Sequence, residues 1–269
     1  MSDGGYIPAA EVGETLRSSG MTIEQYLLSL IPQAQQAAIP PISNFFVGAV
    51  ALGATGSIYF GANYEFVGQA LSFTVHGEQA ATAHALSYGE TGMQMLAVSA
   101  APCGYCRQFL YELTTASTLQ ILLPNTPAAL LTTLIPDAFG PADLGVTAAL
   151  MSPQSHGMTL SSGDPLVQAA LKAANASYAP YTFSYAGVAL KTKDGGIFTG
   201  VVAENAAYNP SMSPLEAAVV SLVISGGKSY NDIADAVLVE AAGSKASQAA
   251  TTRAVLGTIT SVPLRFYAA

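Results

Sequence analysis

The sequence predicts a duplicated α/β/α sandwich with a mixed sheet. A catalytic copy comes first, a non-catalytic copy follows, and a short helical segment precedes both. Three observations lead there. Strand-like and helix-like periods alternate along the chain, as layered α/β folds require. A strand–turn–strand block recurs further on in the sequence. Only the first copy carries residues suited to bond-making chemistry.

Composition sets the outer bounds. Hydrophobic residues are 51% of the 269 and charged residues only 10%, enough to fill one large or two small cores and to exclude global disorder. Formal net charge is −8, with nine Lys plus Arg. Polynucleotides and anionic membranes bind basic surface, so neither is an expected partner. Stretches such as residues 218–225 are too short to span a bilayer. The first residues lack a basic run followed by an apolar one, so no secretory signal is expected. Two cysteines in a thiolate-demanding motif suit a reducing compartment, and the expected location is cytoplasmic.

The first 22 residues read as an N-terminal segment and residues 23–150 as the catalytic domain. Residues 22–38 predict a helix. Thr22 caps it, with Gln25 in capping-box position, and Leu27, Leu28, Leu30 and Ile31 supply its apolar face. Pro32 should break or bend it. Pro40-Pro41 marks a turn. Residues 46–52 and 57–62 predict a strand pair joined through Gly53-Ala54-Thr55-Gly56. Residues 78–88 predict a helix, 95–100 a buried strand and 103–116 a second helix with Phe109, Leu110 and Leu113 at core spacing. Residues 121–123 and 128–134 fit further strands. Ser, Gly and Pro mark residues 151–164 as a linker, leaving 165–269 as the second copy.

In that copy Gly187 answers Gly48 and Gly200 answers Gly61 (187 − 48 and 200 − 61 both give 139). Glu204 answers Glu65 on the same count. Carrying the count on sets Leu215 opposite His76 and Ala217 opposite Glu78, and no cysteine follows. The second copy therefore lacks the chemistry of the first and is expected to serve as its structural partner.

That chemistry resides in His76-Gly77-Glu78 and Pro102-Cys103-Gly104-Tyr105-Cys106. His76, Cys103 and Cys106 are three good zinc ligands, and no fourth is evident. Structural zinc sites close with four protein groups, whereas catalytic ones keep a position open for water. Two residues between the cysteines let both sulfurs face one ion at the start of a helix, where N–H groups favour thiolates. Glu78 is then free to act as general base and general acid on a zinc-activated water. Taken alone, the cysteine pair also fits a redox dithiol or a structural zinc site, and a catalytically silent scaffold remains a second reading.

These residues, with several further runs, resemble the cytidine deaminase family in its larger two-domain homodimeric form. The runs are Pro41-Ile42-Ser43-Asn44-Phe45, Gly61-Ala62-Asn63-Tyr64-Glu65-Phe66, His76-Gly77-Glu78-Gln79, Pro102 through Phe109, Pro136 through Pro141, and Ala203-Glu204-Asn205-Ala206-Ala207 followed by Asn209-Pro210. The resemblance implies a cytidine-deaminase-like fold, Zn2+ held by His76, Cys103 and Cys106, and hydrolysis of cytidine and deoxycytidine to uridine and deoxyuridine. It implies Glu78 as the proton carrier, Phe45 against the base, Asn63 and Glu65 at the ribose hydroxyls, Gly77 lining the site, and Phe139 reaching into the partner of a homodimer. Rival readings stay open for each. Phe45 fits core packing, Asn63 a turn, Glu65 a solvated charge and Phe139 plain interface packing. Arg107 either supports a zinc-bound thiolate or faces solvent, and His84 and His156 read as structural. Gly77, where relatives often have Ala, and Tyr105, where His is common, depart from the family pattern. Other small bases or nucleotides are the alternative substrates within the superfamily.

Overall fold

The computed structural model describes residues 2–269 and divides into two units. Unit 1 comprises residues 1–65, 75–152 and 205–210; unit 2 comprises residues 66–74, 153–204 and 211–269.

Unit 1 opens with β1 (Tyr6–Ile7) and the helices α1 (Ala9–Ser19) and α2 (Ile23–Gln35). It continues through β2 (Gly48–Gly53), β3 (Ile58–Ala62), α3 (Gly77–Ser87), β4 (Met93–Val98) and α4 (Gly104–Leu110). β5 (Gln120–Leu122), β6 (Ala129–Leu130) and the short α5 (Leu131–Leu134) close it. The sheet order is β1-β3-β2-β4-β5-β6, parallel only between β4 and β5.

Two glycines fix the layers. A Cβ on Gly48 would strike Ile31 O and Gln35 N of α2, and one on Gly61 would strike Gly77 O and Ala81 N of α3. Gly61 pairs with Ala49, and successive residues of β2 point to opposite faces, so α2 and α3 cover opposite sides of the sheet.

Thr22 caps α2 as expected. Its Oγ1 accepts from Gln25 N, and its N–H donates to Gln25 Oε1 at 2.9 Å. Pro32 does not stop the helix, which runs on to Gln35 with Leu27, Ile31 and Ala34 buried. Packing of that face on the sheet outweighs the one backbone bond proline removes. α4 ends at Leu110, well before the expected residue 116. Thr114 Oγ1 donates to Thr91 O, and Thr115 Oγ1 both donates to Met93 O and accepts from Met93 N. Those bonds tie the chain to β4 and end the helical path. Of residues 128–134 only Ala129–Leu130 pair as a strand, and the rest turn into α5.

Unit 2 repeats the plan with α6 (Pro165–Asn175), β7 (Ala186–Thr192), β8 (Ile197–Val201), α7 (Pro214–Val220), β9 (Ile233–Glu240), α8 (Ala249–Ile259) and β10 (Leu264–Ala268), the last two answering α4 and β5. Its sheet order is β10-β9-β7-β8, with β10 and β9 parallel. The segment before α6 is packed rather than loose. Met158 and Leu160 lie against the core beneath α6, and Asn175 exchanges two hydrogen bonds with the Met158 backbone.

The strands obey the expected offset, since Gly48 pairs with Ala62 as Gly187 pairs with Val201. The following helix does not. A Cβ on Gly200 would strike Pro214 O and Ala218 N, the counterparts of Gly77 O and Ala81 N. The N-cap His76 therefore corresponds to Ser213 rather than Leu215, Glu78 to Leu215 rather than Ala217, and Gln79 to Glu216. The cause is a shorter connection: Glu204 to Ser213 spans nine positions (213 − 204), where Glu65 to His76 spans eleven (76 − 65). The second copy still holds no ligand set.

Candidate active site

α3 and α4 present their N-termini together. His76 is the N-cap of α3, with its N–H donating to Gln79 Oε1 at 3.2 Å. Cys103 is the N-cap of α4, and its sulfur accepts from Cys106 N. Close contact of Gly61 with α3 sets how near that helix lies to β3.

The three ligand atoms form a small triangle. His76 Nδ1 lies 3.7 Å from Cys103 Sγ and 3.2 Å from Cys106 Sγ, and the sulfurs are 3.6 Å apart. Tetrahedral zinc with its usual bond lengths would set the sulfurs roughly 3.8 Å apart and each about 3.6 Å from the nitrogen. The donor set and its spacing fit zinc. Both cysteines are free thiols, so the redox-disulfide reading finds no bond here. This is the one such cluster among the described residues.

The two sulfurs lie close enough to interact. Contact with the Cys106 sulfur and the bond from Cys106 N bring the Cys103 pKa down to about 5, while the same sulfur contact, burial and nearby Glu78 push Cys106 up. A dication would take both as thiolates. Glu78 sits in the first turn of α3, 4% exposed. Burial raises its carboxyl above the ordinary range. Its backbone N–H, the Cys106 thiol and the His76 charge offset part of that rise. A buried carboxyl beside the ligand triangle is suited to carry a proton.

Glu65, Asn63, Phe45 and Gly77 converge on the loop before β2. Glu65 accepts from Ile42 N at 2.7 Å, Ser43 N at 2.9 Å and Ser43 Oγ. Burial opposes its charge, but the Ser43 and Ile42 bonds prevail and lower its pKa. Asn63 Oδ1 accepts from Val47 N, and its Nδ2 donates to Phe45 O, both at 2.9 Å. Phe45 itself is 59% exposed, not core. Val47 touches the α3 start, since a Cβ on Gly77 would lie 3.0 Å from Val47 Cγ1. Phe139 is 43% exposed and its carbonyl accepts from Gln108 Nε2.

Arg107 takes neither expected role. Its guanidinium donates to the Pro102 and Leu134 carbonyls at 2.9 and 2.7 Å, bracing the turn before Cys103. His84 is buried, with Nδ1 donating to Phe60 O, and His156 stacks on Tyr185 while Nε2 donates to Ser177 O; both belong to the scaffold. Sequence reasoning missed the polar face of Tyr105, Gln108 and Glu112, whose i, i+3, i+7 spacing was its only signal.

A three-layer α/β fold with a His/Cys/Cys triangle and a buried free carboxylate defines a zinc-dependent hydrolytic deaminase. Models of the cytidine and deoxycytidylate deaminase zinc-binding region match residues 21–121 and 131–253. A cytidine deaminase of Photobacterium profundum is 47% identical over 255 residues, covering 94% of this chain and 86% of its own. One from Aeromonas hydrophila is 48% identical over 259 residues, covering 96% and 88%. The crystal structure of cytidine deaminase from Mycobacterium tuberculosis is 34% identical, spans 45% of this chain and 99% of its own, and has a TM-score of 0.41. The chain belongs to the cytidine and deoxycytidylate deaminase family.

Proposed function

We propose that the protein hydrolyses cytidine and deoxycytidine to uridine and deoxyuridine with release of ammonia, in pyrimidine salvage. The observation that carries this reading is the ligand triangle with Glu78 buried beside it. His76, Cys103 and Cys106 would hold Zn2+, which would supply a Lewis acid able to bring the pKa of water from ~15.7 toward ~7. Glu78 accepts a proton from the attacking water and delivers it to N3 of the pyrimidine as the C4–O bond forms. It then takes the proton of the new C4 hydroxyl and carries it to the departing amine as the C4–N bond breaks and the C4 carbonyl forms, so acid and base are one side chain.

The loop residues hold the substrate. The exposed Phe45 ring offers a face for the base, and Gly77 leaves room beside it. Asn63 keeps a second amide hydrogen and Glu65 an unfilled lone pair for sugar hydroxyls. Charge favours a nucleoside over a nucleotide. Unit 1 contains only two Lys or Arg side chains, Arg17 on α1 and Arg107, which is tied to carbonyls. A phosphate needs a free cation.

In this reading residues 23–150 form the catalytic domain, 151–164 the linker and 165–269 the degenerate copy. The protein acts as a cytoplasmic homodimer in which exposed Phe139 enters the partner's site. No described helix is long and apolar enough to cross a membrane. Incubation with cytidine, deoxycytidine, dCMP and adenosine, followed by the fall in ultraviolet absorbance, tests the substrate. Turnover of the two nucleosides is expected; a preference for dCMP overturns the nucleoside assignment.

A further inference from the structure

Unit 1 includes residues 205–210 from the second half of the chain. These residues lie along one face of α4 and its exit. Asn205 Nδ2 donates to Gln108 O at 2.9 Å, and Gln108 Nε2 donates to both Asn205 Oδ1 and Phe139 O. One turn on, Ala206 N donates to the fully buried carboxylate of Glu112 at 3.0 Å. At the other end, Tyr105 OH donates to Asn209 O at 2.8 Å, and Gln79 Nε2 reaches Pro210 O at 3.4 Å.

Tyr105 and Gln79 are the informative contacts. Tyr105 sits between the two cysteines, and its ring lies 5.6 Å from the His76 ring, centroid to centroid. Gln79 accepts the His76 N–H and neighbours Glu78. The strap thus bonds to α4, which carries two ligands, and to the turn of α3 that carries the third. Helix termini this short are weak structures on their own, and ligand geometry is set by the groups that orient the ligands.

We propose that the second copy serves catalysis through Asn205–Pro210, a strap that locks α4 to the start of α3 and so holds the zinc ligands in register. Tyr105, Gln108 and Glu112 are its positioning residues. This rests on the reading that His76, Cys103 and Cys106 bind zinc.

The test uses the full-length protein with Tyr105→Phe and Gln108→Ala, singly and combined. Tyr105→Phe keeps the ring on His76 and cuts the bond to Asn209; Gln108→Ala cuts the Asn205 and Phe139 bonds. Thr115→Val, which breaks the bonds to Met93 and removes none of the strap's own bonds, is the control for general destabilisation. Zinc per chain is measured first, and a wild type without zinc overturns the metal assignment itself. The rate of zinc transfer to a chromophoric chelator and the visible spectrum of the Co2+-substituted protein are then compared. The double variant should release zinc at least tenfold faster, with an altered Co2+ spectrum and unchanged far-ultraviolet circular dichroism. Release within twofold of wild type, or an equal rise in Thr115→Val, overturns the strap.

Discussion

Glu65 accepts both the backbone N–H and the hydroxyl of Ser43, and with Ile42 N the carboxylate closes the loop that presents Phe45. The second copy repeats this bond for bond. Glu204 accepts from Tyr181 N, Thr182 N and Thr182 Oγ1. Unit 2 has no ligand set, so the shared pattern holds the loop whether or not there is chemistry beside it. Charge-assisted bonds of this kind contribute about 1.5–3 kcal/mol each.

Glu65→Gln and Glu204→Gln should therefore both lower stability, by about 2 kcal/mol or more. Only Glu65→Gln should raise KM for cytidine, because only its loop carries Phe45. Urea unfolding with steady-state kinetics on the pair checks this. A Glu65→Gln protein as stable as wild type, altered in KM alone, would mean that the carboxylate acts on substrate and not on the loop.

Glu78→Gln should retain zinc and lose kcat by at least the ~10²–10⁴ of a typical acid–base group. Glutamine keeps the volume but cannot shuttle a proton. Elemental analysis with cytidine turnover measures both quantities, and a variant with full activity would remove Glu78 from the mechanism.

The legibility of the sequence followed the range of the forces involved. The ligand triangle was readable because only a few side chains bind zinc and a helix start fixes their spacing. The Thr22–Gln25 cap and the paired strands were readable because their partners lie close in sequence. Features set by distant partners were not. α4 stops where Thr114 and Thr115 bond back to Thr91 and Met93. The offset slips at Ser213 because a loop is shorter, which leaves no mark on the flanking strands. Gln108 and Asn205 are 97 positions apart, beyond any local pattern.

Gly61 and Gly77 differ sharply in what a methyl group would meet. On Gly61 a Cβ would lie 2.2 Å from Gly77 O and 2.3 Å from Ala81 N, both backbone; on Gly77 it would lie 3.0 Å from the tip of Val47. Gly61→Ala must push α3 off the sheet and carry His76 and Glu78 with it. It should cost about 1–3 kcal/mol as overpacking does and lower zinc content. Gly77→Ala should stay within about 1 kcal/mol of wild type, since a side chain can yield where backbone cannot. Thermal melting and metal analysis of the two variants separate them; equal effects would refute the packing argument.

His84 offers the clearest pH dependence. It is buried with its ring edge-on to Tyr59 and Tyr88, and Nε2 has no hydrogen-bond partner among the described residues. Burial lowers its pKa to about 4, against a bond to Phe60 O that acts the other way. A folded-state pKa below the unfolded value of about 6.5 means that the neutral ring favours the fold. The contribution is fully present above pH 6.5 and is lost as pH falls through about 4. The shift corresponds to about 3 kcal/mol. Urea midpoints between pH 7 and 4 should fall steeply for wild type, and His84→Gln should flatten that slope because an amide does not titrate there. An unchanged slope in His84→Gln would assign the acid sensitivity to other groups.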